Sequence, residues 1–224
     1  MVQIIPAILS TTEEDYERDI LRYKQALSFK DGWVHIDLMD NIFVPNKSIG
    51  SSVVARYQIG LHKEAHLMVS RPLEWVDDLI EAGFERIIFH IEAEDTQECI
   101  EYIKEKNLEV GLAIKNGTPI EKLEEFVNKL DVVLVMGVEP GFQGQGFIPQ
   151  TISKIKETSR LRSNGNYNFR IGVDGAVKDD NIRHIVDTGV DFVIVGSYLL
   201  KGDIDENLEN LWKTLRQDQD KLNG

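Results

Sequence analysis

The chain has 224 residues and a formal net charge of −13, which argues against a nucleic-acid or anionic-membrane surface, since either needs clustered Lys and Arg facing phosphates. A phosphorylated small molecule stays possible, because backbone amides can bind phosphate without basic residues. Cys99 is the sole cysteine, so no intramolecular disulfide can form and a reducing compartment is the simpler reading.

In chain order, short Ile- and Val-rich runs alternate with longer amphipathic ones. Strands are predicted at 3–9, 33–37, 63–68, 86–90, 109–114, 132–136, 168–173 and 192–195. Helices are predicted near 12–28, 51–57, 72–82, 96–106, 120–128, 149–162, 179–188 and 205–215. Thr11 or Thr12 can cap the first helix, Pro72 suits a first turn, and Gly83 and Gly189 suit helix ends. Cys99, on one of the periodic segments, is expected to be a small buried apolar side chain. No apolar run approaches a membrane span, and Met1 to Pro6 lacks a basic segment followed by an apolar one, so a soluble, cytoplasmic protein is expected.

Eight strands, each followed by a helix, point to a parallel sheet covered by helices. The chemically interesting residues are spread over the C-terminal ends of most strands. That favours closure into an α/β single-domain (β/α)8 TIM barrel over a doubly wound open sheet. The barrel is expected over residues 1–216, with a polar tail at 217–224.

Three strand ends carry residues suited to a metal: His35-Ile36-Asp37-Leu38-Met39-Asp40, His66-Leu67-Met68-Val69 and Val173-Asp174-Gly175. Alternation puts His35, Asp37 and Met39 on one face, and His66 and Met68 on one face. If those faces converge, two imidazoles and two carboxylates form one site for Zn²⁺, Mn²⁺, Co²⁺ or Fe²⁺. Taken singly, His66 reads as a satisfied core histidine and Asp174 as a turn residue; joint placement is what favours a site. Met39, Met68 and Met136 all lie at strand ends, where they could exclude water. Asp40 should point away from Asp37 and fix its loop through Asn46. His90 and Glu92 could stand behind the ligands, while His62 and His184 read as surface or helix residues.

A glycine-rich loop, Gly137-Val138-Glu139-Pro140-Gly141-Phe142-Gln143-Gly144-Gln145-Gly146-Phe147, fits a flap that exposes amides and closes over substrate. The turns Gly175-Ala176 and Gly196-Ser197 could bind phosphate, the second with a short extra helix at 197–200. Ser10 ends the first strand and could touch substrate.

Together these motifs resemble the ribulose-phosphate 3-epimerase family. The likeness runs through Pro6-Ala7-Ile8-Leu9-Ser10, the His35 and His66 strings, Phe43-Val44-Pro45-Asn46, Phe89-His90, Met136, Glu139-Pro140-Gly141-Phe142, Val173-Asp174-Gly175 and Gly196-Ser197. The resemblance implies a (β/α)8 barrel, one divalent metal ion on His35, Asp37, His66 and Asp174, and interconversion of D-ribulose 5-phosphate and D-xylulose 5-phosphate. Epimerisation beside a ketone needs two acid/base groups on opposite faces of C3. Asp37 and Asp174 are the proposed pair, working through a cis-enediolate whose charge the metal would stabilise. His66, Met39, Met68, Met136, Ser10, Gly141, Phe142, Gln143, Gly144 and the two phosphate turns are the expected contacts to a phosphorylated ketose.

The family usually has glycine where this chain has Asn41, Gln143 and Ala176. Those departures keep open a 3-epimerase of a hexulose phosphate such as D-allulose 6-phosphate, and also a catalytically inactive sugar-phosphate-binding barrel. A decarboxylase of the orotidine-phosphate group is disfavoured, because Met39 stands where its Asp-x-Lys motif needs lysine. A homo-oligomer is compatible with the sequence.

Overall fold

The strands are nearly unbroken runs of buried Val, Ile and Leu, as expected where both faces of a parallel sheet are covered. In the computed structural model, which describes residues 2–216, they are β1 (Gln3–Ile8), β2 (Trp33–Met39), β3 (His62–Met68), β4 (Arg86–His90), β5 (Glu109–Ile114), β6 (Val132–Met136), β7 (Arg170–Asp174) and β8 (Phe192–Val195). All pair in parallel in sequence order, and β8 returns to β1 to close the barrel. The expected tail at 217–224 lies outside the described residues.

Strand alternation divides the apolar residues into two cores. Val133 and Val135 of β6 pack outward against the helices. Val132, Leu134 and Met136 of the same strand fill the bore with Ile5, Ile88, Phe192 and Ile194. On β2 the outward residues are Val34, Ile36 and Leu38, and on β3 Ala65 and Leu67. His35, Asp37 and Met39, and likewise Glu64, His66 and Met68, therefore turn into the barrel.

Register then stacks polar side chains in rows. Asp37 pairs with His66, and Met136 pairs with Asp174. Lower in the barrel His35 pairs with Glu64, Glu64 with Arg86, and Arg86 with Glu109. Arg86, 1% exposed, joins Glu64 at 2.6 Å and Glu109 at 2.5 Å. Its guanidinium also stacks 3.8 Å from the ring centroid of Trp33. Removing one partner of such a buried pair typically costs about 3–5 kcal/mol.

The outer layer is α1 (Glu13–Gln25), α2 (Ser51–Arg56), α3 (Val76–Glu81), α4 (Thr96–Glu105), α5 (Thr151–Gly165), α6 (Ile182–Val186) and α7 (Ile204–Arg216). Helix α1 buries Tyr16, Ile20 and Tyr23 along one stripe, and the Thr12 side chain caps it by accepting from Asp15 N–H. Gly83 and Gly189 adopt positive φ just beyond helices α3 and α6. Cys99 is fully buried, and burial pushes its thiol up to about 12.

Several predicted helices are corrected. The segment 72–82 splits into a 3-10 turn, Pro72–Trp75, followed by α3. The predicted helix at 120–128 is a 3-10 turn, Ile120–Leu123, continued by turns. Bonds from Phe126 N to Leu123 O and from Lys129 N to Phe126 O keep it tightly wound. Such a segment is too short to repay helix nucleation. The predicted helix at 179–188 contracts to α6. The short extra helix expected at 197–200 is a turn, closed by Leu200 N bonding Gly196 O.

Candidate active site

Four side chains from the tops of β2, β3 and β7 converge. One ligand atom from each of His35, Asp37, His66 and Asp174 lies within 4.8 Å of all the others. Asp37 Oδ1 is 2.9 Å from His66 Nδ1 and 3.4 Å from His35 Nε2. Asp174 Oδ2 is 3.4 Å from His66 Nδ1 and 3.9 Å from His35 Nε2.

Both imidazoles are wholly buried, and their outer nitrogens are engaged. His35 Nδ1 donates to Glu64 Oε1 at 2.7 Å, which leaves Nε2 as a buried nitrogen without a hydrogen-bond partner, facing the two aspartates. His66 Nε2 meets His90 Nε2 at 3.1 Å. Burial works against a charged His35, but the nearby Asp37 and Glu64 carboxylates hold its pKa well above the usual value. Burial likewise opposes charge on His66, and Asp174 and Asp37 raise it. Burial would raise Asp37, yet His35 and His66 hold it below the usual carboxylate range. The carboxylates thus favour positive charge at the point where the two imidazoles face them. The nitrogen and oxygen donors of the cluster suit a divalent transition metal, so the residues present fit such an ion.

Above the cluster opens a cleft of about 230 Å³. Asp37 and Asp174 line it, with Met68 and Met136 beside them. Its far wall is the flap, including Gly141, Phe142, Gln143 and Gly144, and its remaining wall is built from Gly175, Ala176, Gly196 and Ser197. Met39 and Ser10 do not reach the cleft. Met39 packs against Met68 and Val44, and Ser10 is buried with an unpartnered hydroxyl. His35 and His66 lie below the floor, where they meet the aspartates but not the cleft.

The turn after β7 has an unusual backbone: Gly175 has φ 115° and Ala176 φ 55°, both left-handed. Close approach also requires Gly137, where a Cβ would stand 2.3 Å from the Gly175 carbonyl. Two bonds tie the flap to its surroundings and a third braces it internally. Asn46 Nδ2 donates to Gly141 O at 2.6 Å, Gln143 Nε2 to Leu9 O at 3.1 Å, and Gln145 Nε2 to Glu139 O at 2.6 Å.

That bonding corrects the expected role of Asn46 as the partner of Asp40. Asp40 instead accepts from the backbone amides of Ile42, Phe43 and Ser70. The sequence reading also missed three residues. Glu64 stands two before His66 on the same strand face, a spacing that could have revealed it. Lys178 and Lys201 line the cleft, and each follows a glycine turn by three to five residues.

Comparison with known proteins agrees with this geometry. A model of the ribulose-phosphate 3 epimerase family matches residues 3–200. The chain is 39% identical over 198 residues to a protein of Escherichia coli K12 named ribulose-phosphate 3-epimerase, covering 87% of each. It is 35% identical over 202 residues to a protein of the same name from Treponema pallidum, covering 89% of this chain and 91% of the relative. Among solved structures, 3-hexulose-6-phosphate synthase from Salmonella typhimurium aligns with a TM-score of 0.67 at 15% identity, over 96% of this chain and 99% of that one. Phosphoribosyl anthranilate isomerase from Thermococcus kodakaraensis aligns with a TM-score of 0.62 at 12% identity, over 96% and 99%. These two share the barrel alone. Sequence identity over nearly the whole barrel, together with the carboxylate and imidazole cluster at its mouth, makes this chain a carbohydrate epimerase belonging to the ribulose-phosphate 3 epimerase family.

Proposed function

We propose that the protein interconverts D-ribulose 5-phosphate and D-xylulose 5-phosphate by moving protons at C3 with Asp37 and Asp174. The observation that carries this reading is the presence of both carboxylates in one cleft, each with one oxygen turned to the imidazoles. The second oxygen of each is the one available to substrate. In the forward direction one carboxylate removes the C3 proton, giving a cis-enediolate, and the other delivers a proton to the opposite face. In reverse their roles exchange. Each transfer contributes roughly 10²–10⁴-fold.

A divalent ion on His35, Asp37, His66 and Asp174 would supply Lewis-acid stabilisation of negative charge on the sugar oxygens. Met68 and Met136 keep water from the reacting carbon, and a drier cavity strengthens every charge interaction within it. Amides at Gly175-Ala176 and Gly196-Ser197 bind the phosphate. Lys178 and Lys201 add positive charge on that side of an otherwise acidic chain. The flap residues Gly141 to Gly144 cover the bound sugar. Residues 1–216 form the catalytic unit, and a cytoplasmic location suits both a phosphorylated substrate and the buried Cys99 thiol.

An NMR assay in D₂O with D-ribulose 5-phosphate and D-allulose 6-phosphate side by side tests the reading. Formation of xylulose 5-phosphate carrying deuterium at C3, faster than any hexulose turnover, is the expected result. Faster turnover of allulose 6-phosphate would reassign the substrate. Binding of both without turnover would leave only a sugar-phosphate-binding barrel.

A further inference from the structure

We propose that Glu92 is a positioning residue of the metal centre: through His90 it keeps the proton of His66 on Nε2, leaving Nδ1 free to ligate a divalent ion. The proposal rests on the metal-site reading above. Glu92 and His90 belong to neither the two-base chemistry nor the ligand set.

Two imidazole nitrogens 3.1 Å apart, His66 Nε2 and His90 Nε2, share one proton. Glu92 decides which ring owns it. The backbone N–H of Lys115 can only donate, and it donates to Glu92 Oε1 at 3.1 Å. The Thr118 hydroxyl bonds the same oxygen. The other oxygen, Oε2, lies 3.2 Å from His90 Nδ1. A carboxylate in this setting accepts, so His90 carries its proton on Nδ1. A neutral His90 then has only a lone pair at Nε2, and His66 must donate to it. With the Nε2 proton committed there, the hydrogen on His66 Nδ1, which bonds Asp37 Oδ1 at 2.9 Å and faces Asp174 Oδ2 at 3.4 Å while no ion is bound, is the one that a ligated ion displaces. That is the point His35 Nε2 also faces.

The arrangement holds its geometry by packing. His66 and His90 are both fully buried. Their rings lie 5.1 Å apart at 30°, and Phe43 covers His90 with centroids 4.9 Å apart. Neither ring can turn to exchange its nitrogens without displacing neighbours. The opposite chain of protons has His66 accept from His90 at Nε2, so its only hydrogen is on Nδ1 and an ion ligated there would have to leave the ring as an anionic imidazolate. That chain needs a donor where Glu92 Oε2 now stands.

Glu92→Gln supplies that donor in nearly the same shape. The amide oxygen is drawn to Lys115 N–H, its NH₂ group faces His90 Nδ1, and every proton in the chain reverses. Zn²⁺ affinity, measured by competition with a chromophoric chelator, should fall about 10–100-fold, the usual effect of losing an outer partner of a ligating histidine. The melting temperature of the metal-free protein should change little. In ¹⁵N-histidine NMR, Zn²⁺-loaded wild type should show His66 protonated at Nε2 and His90 at Nδ1, with the reverse in metal-free Glu92→Gln. A merely structural Glu92 predicts no such reversal. Wild-type Zn²⁺ affinity in Glu92→Gln would overturn the relay alone. So would an Nδ1 proton on His66 in Zn²⁺-loaded wild type, a measurement that needs no variant. If wild type binds no Zn²⁺, or His35→Asn binds it equally well, the metal-site reading itself falls.

Discussion

Gln143, at the tip of the flap after β6, donates from Nε2 to the carbonyl of Leu9 at the end of β1, 3.1 Å away. The bond joins two walls of the cleft, so the Gln143 side chain acts as a latch on the flap. Its net worth is on the order of 1 kcal/mol. Gln143→Ala should therefore raise KM for the sugar phosphate roughly fivefold and lower the melting temperature by no more than about 2–4 degrees. Steady-state kinetics with unchanged KM would show that the latch does not influence closure.

Asp174→Asn should leave the barrel folded, because Asp174 is partly exposed at the end of β7 and its neighbours Ile171 and Val173 still fill the outer core. An amide cannot accept or return the C3 proton. Loss of at least about 10²-fold in turnover, with matching loss of deuterium incorporation at C3, is the expected result. Exchange at the wild-type rate would remove Asp174 from the proton-transfer pair.

Asp40 holds the loop after β2 through three backbone amides; burial would raise its carboxyl, but those bonds keep it below the usual range. Because the folded pKa is depressed, its stabilisation is fully present above the unfolded value of about 3.9 and is lost as pH falls through the folded value. Asp40→Ala should cost about 1–3 kcal/mol at pH 7. Urea melts at pH 7 and pH 3 should show the gap between variant and wild type narrowing in acid. A gap that stays constant would mean the bonds do not depend on charge.

Ala176 holds φ 55° in the turn after β7. An L-residue there costs roughly 1–2 kcal/mol, offset in part by the entropy that glycine loses on folding. Ala176→Gly should thus raise the melting temperature by about two degrees. A lower melting temperature would show that the methyl group contributes packing that outweighs the backbone strain.

The four proposed ligands were legible because strand alternation is local: His35 and Asp37, two apart, must share a face wherever the strand lies. The partners of those ligands were not. Glu64 meets His35 only because β2 and β3 pair with His35 opposite Glu64, and a slip of one residue would have turned Glu64 to the helices. Register depends on the whole closed sheet, which no short string encodes. The same reason separates Asp40 from Asn46. Each bonds backbone groups that folding brings near, Asp40 reaching Ser70 and Asn46 reaching Gly141. The segment 120–128 failed differently, since its apolar spacing fits a helix but its length does not sustain one.

The shared carboxylate of Glu64 gives the lower end of the barrel a stake in chemistry at the upper end. One oxygen steadies His35 and the other takes Arg86, which leans on Trp33 and reaches the surface through half-exposed Glu109. Barrels commonly divide labour between a face that evolves new activities and a face that keeps the fold. Here that division is incomplete. Drift at Trp33 or Glu109, remote from any sugar, would be transmitted along the row to a proposed ligand, so the evolutionary freedom of the stabilising face is narrower than its distance from the cleft suggests.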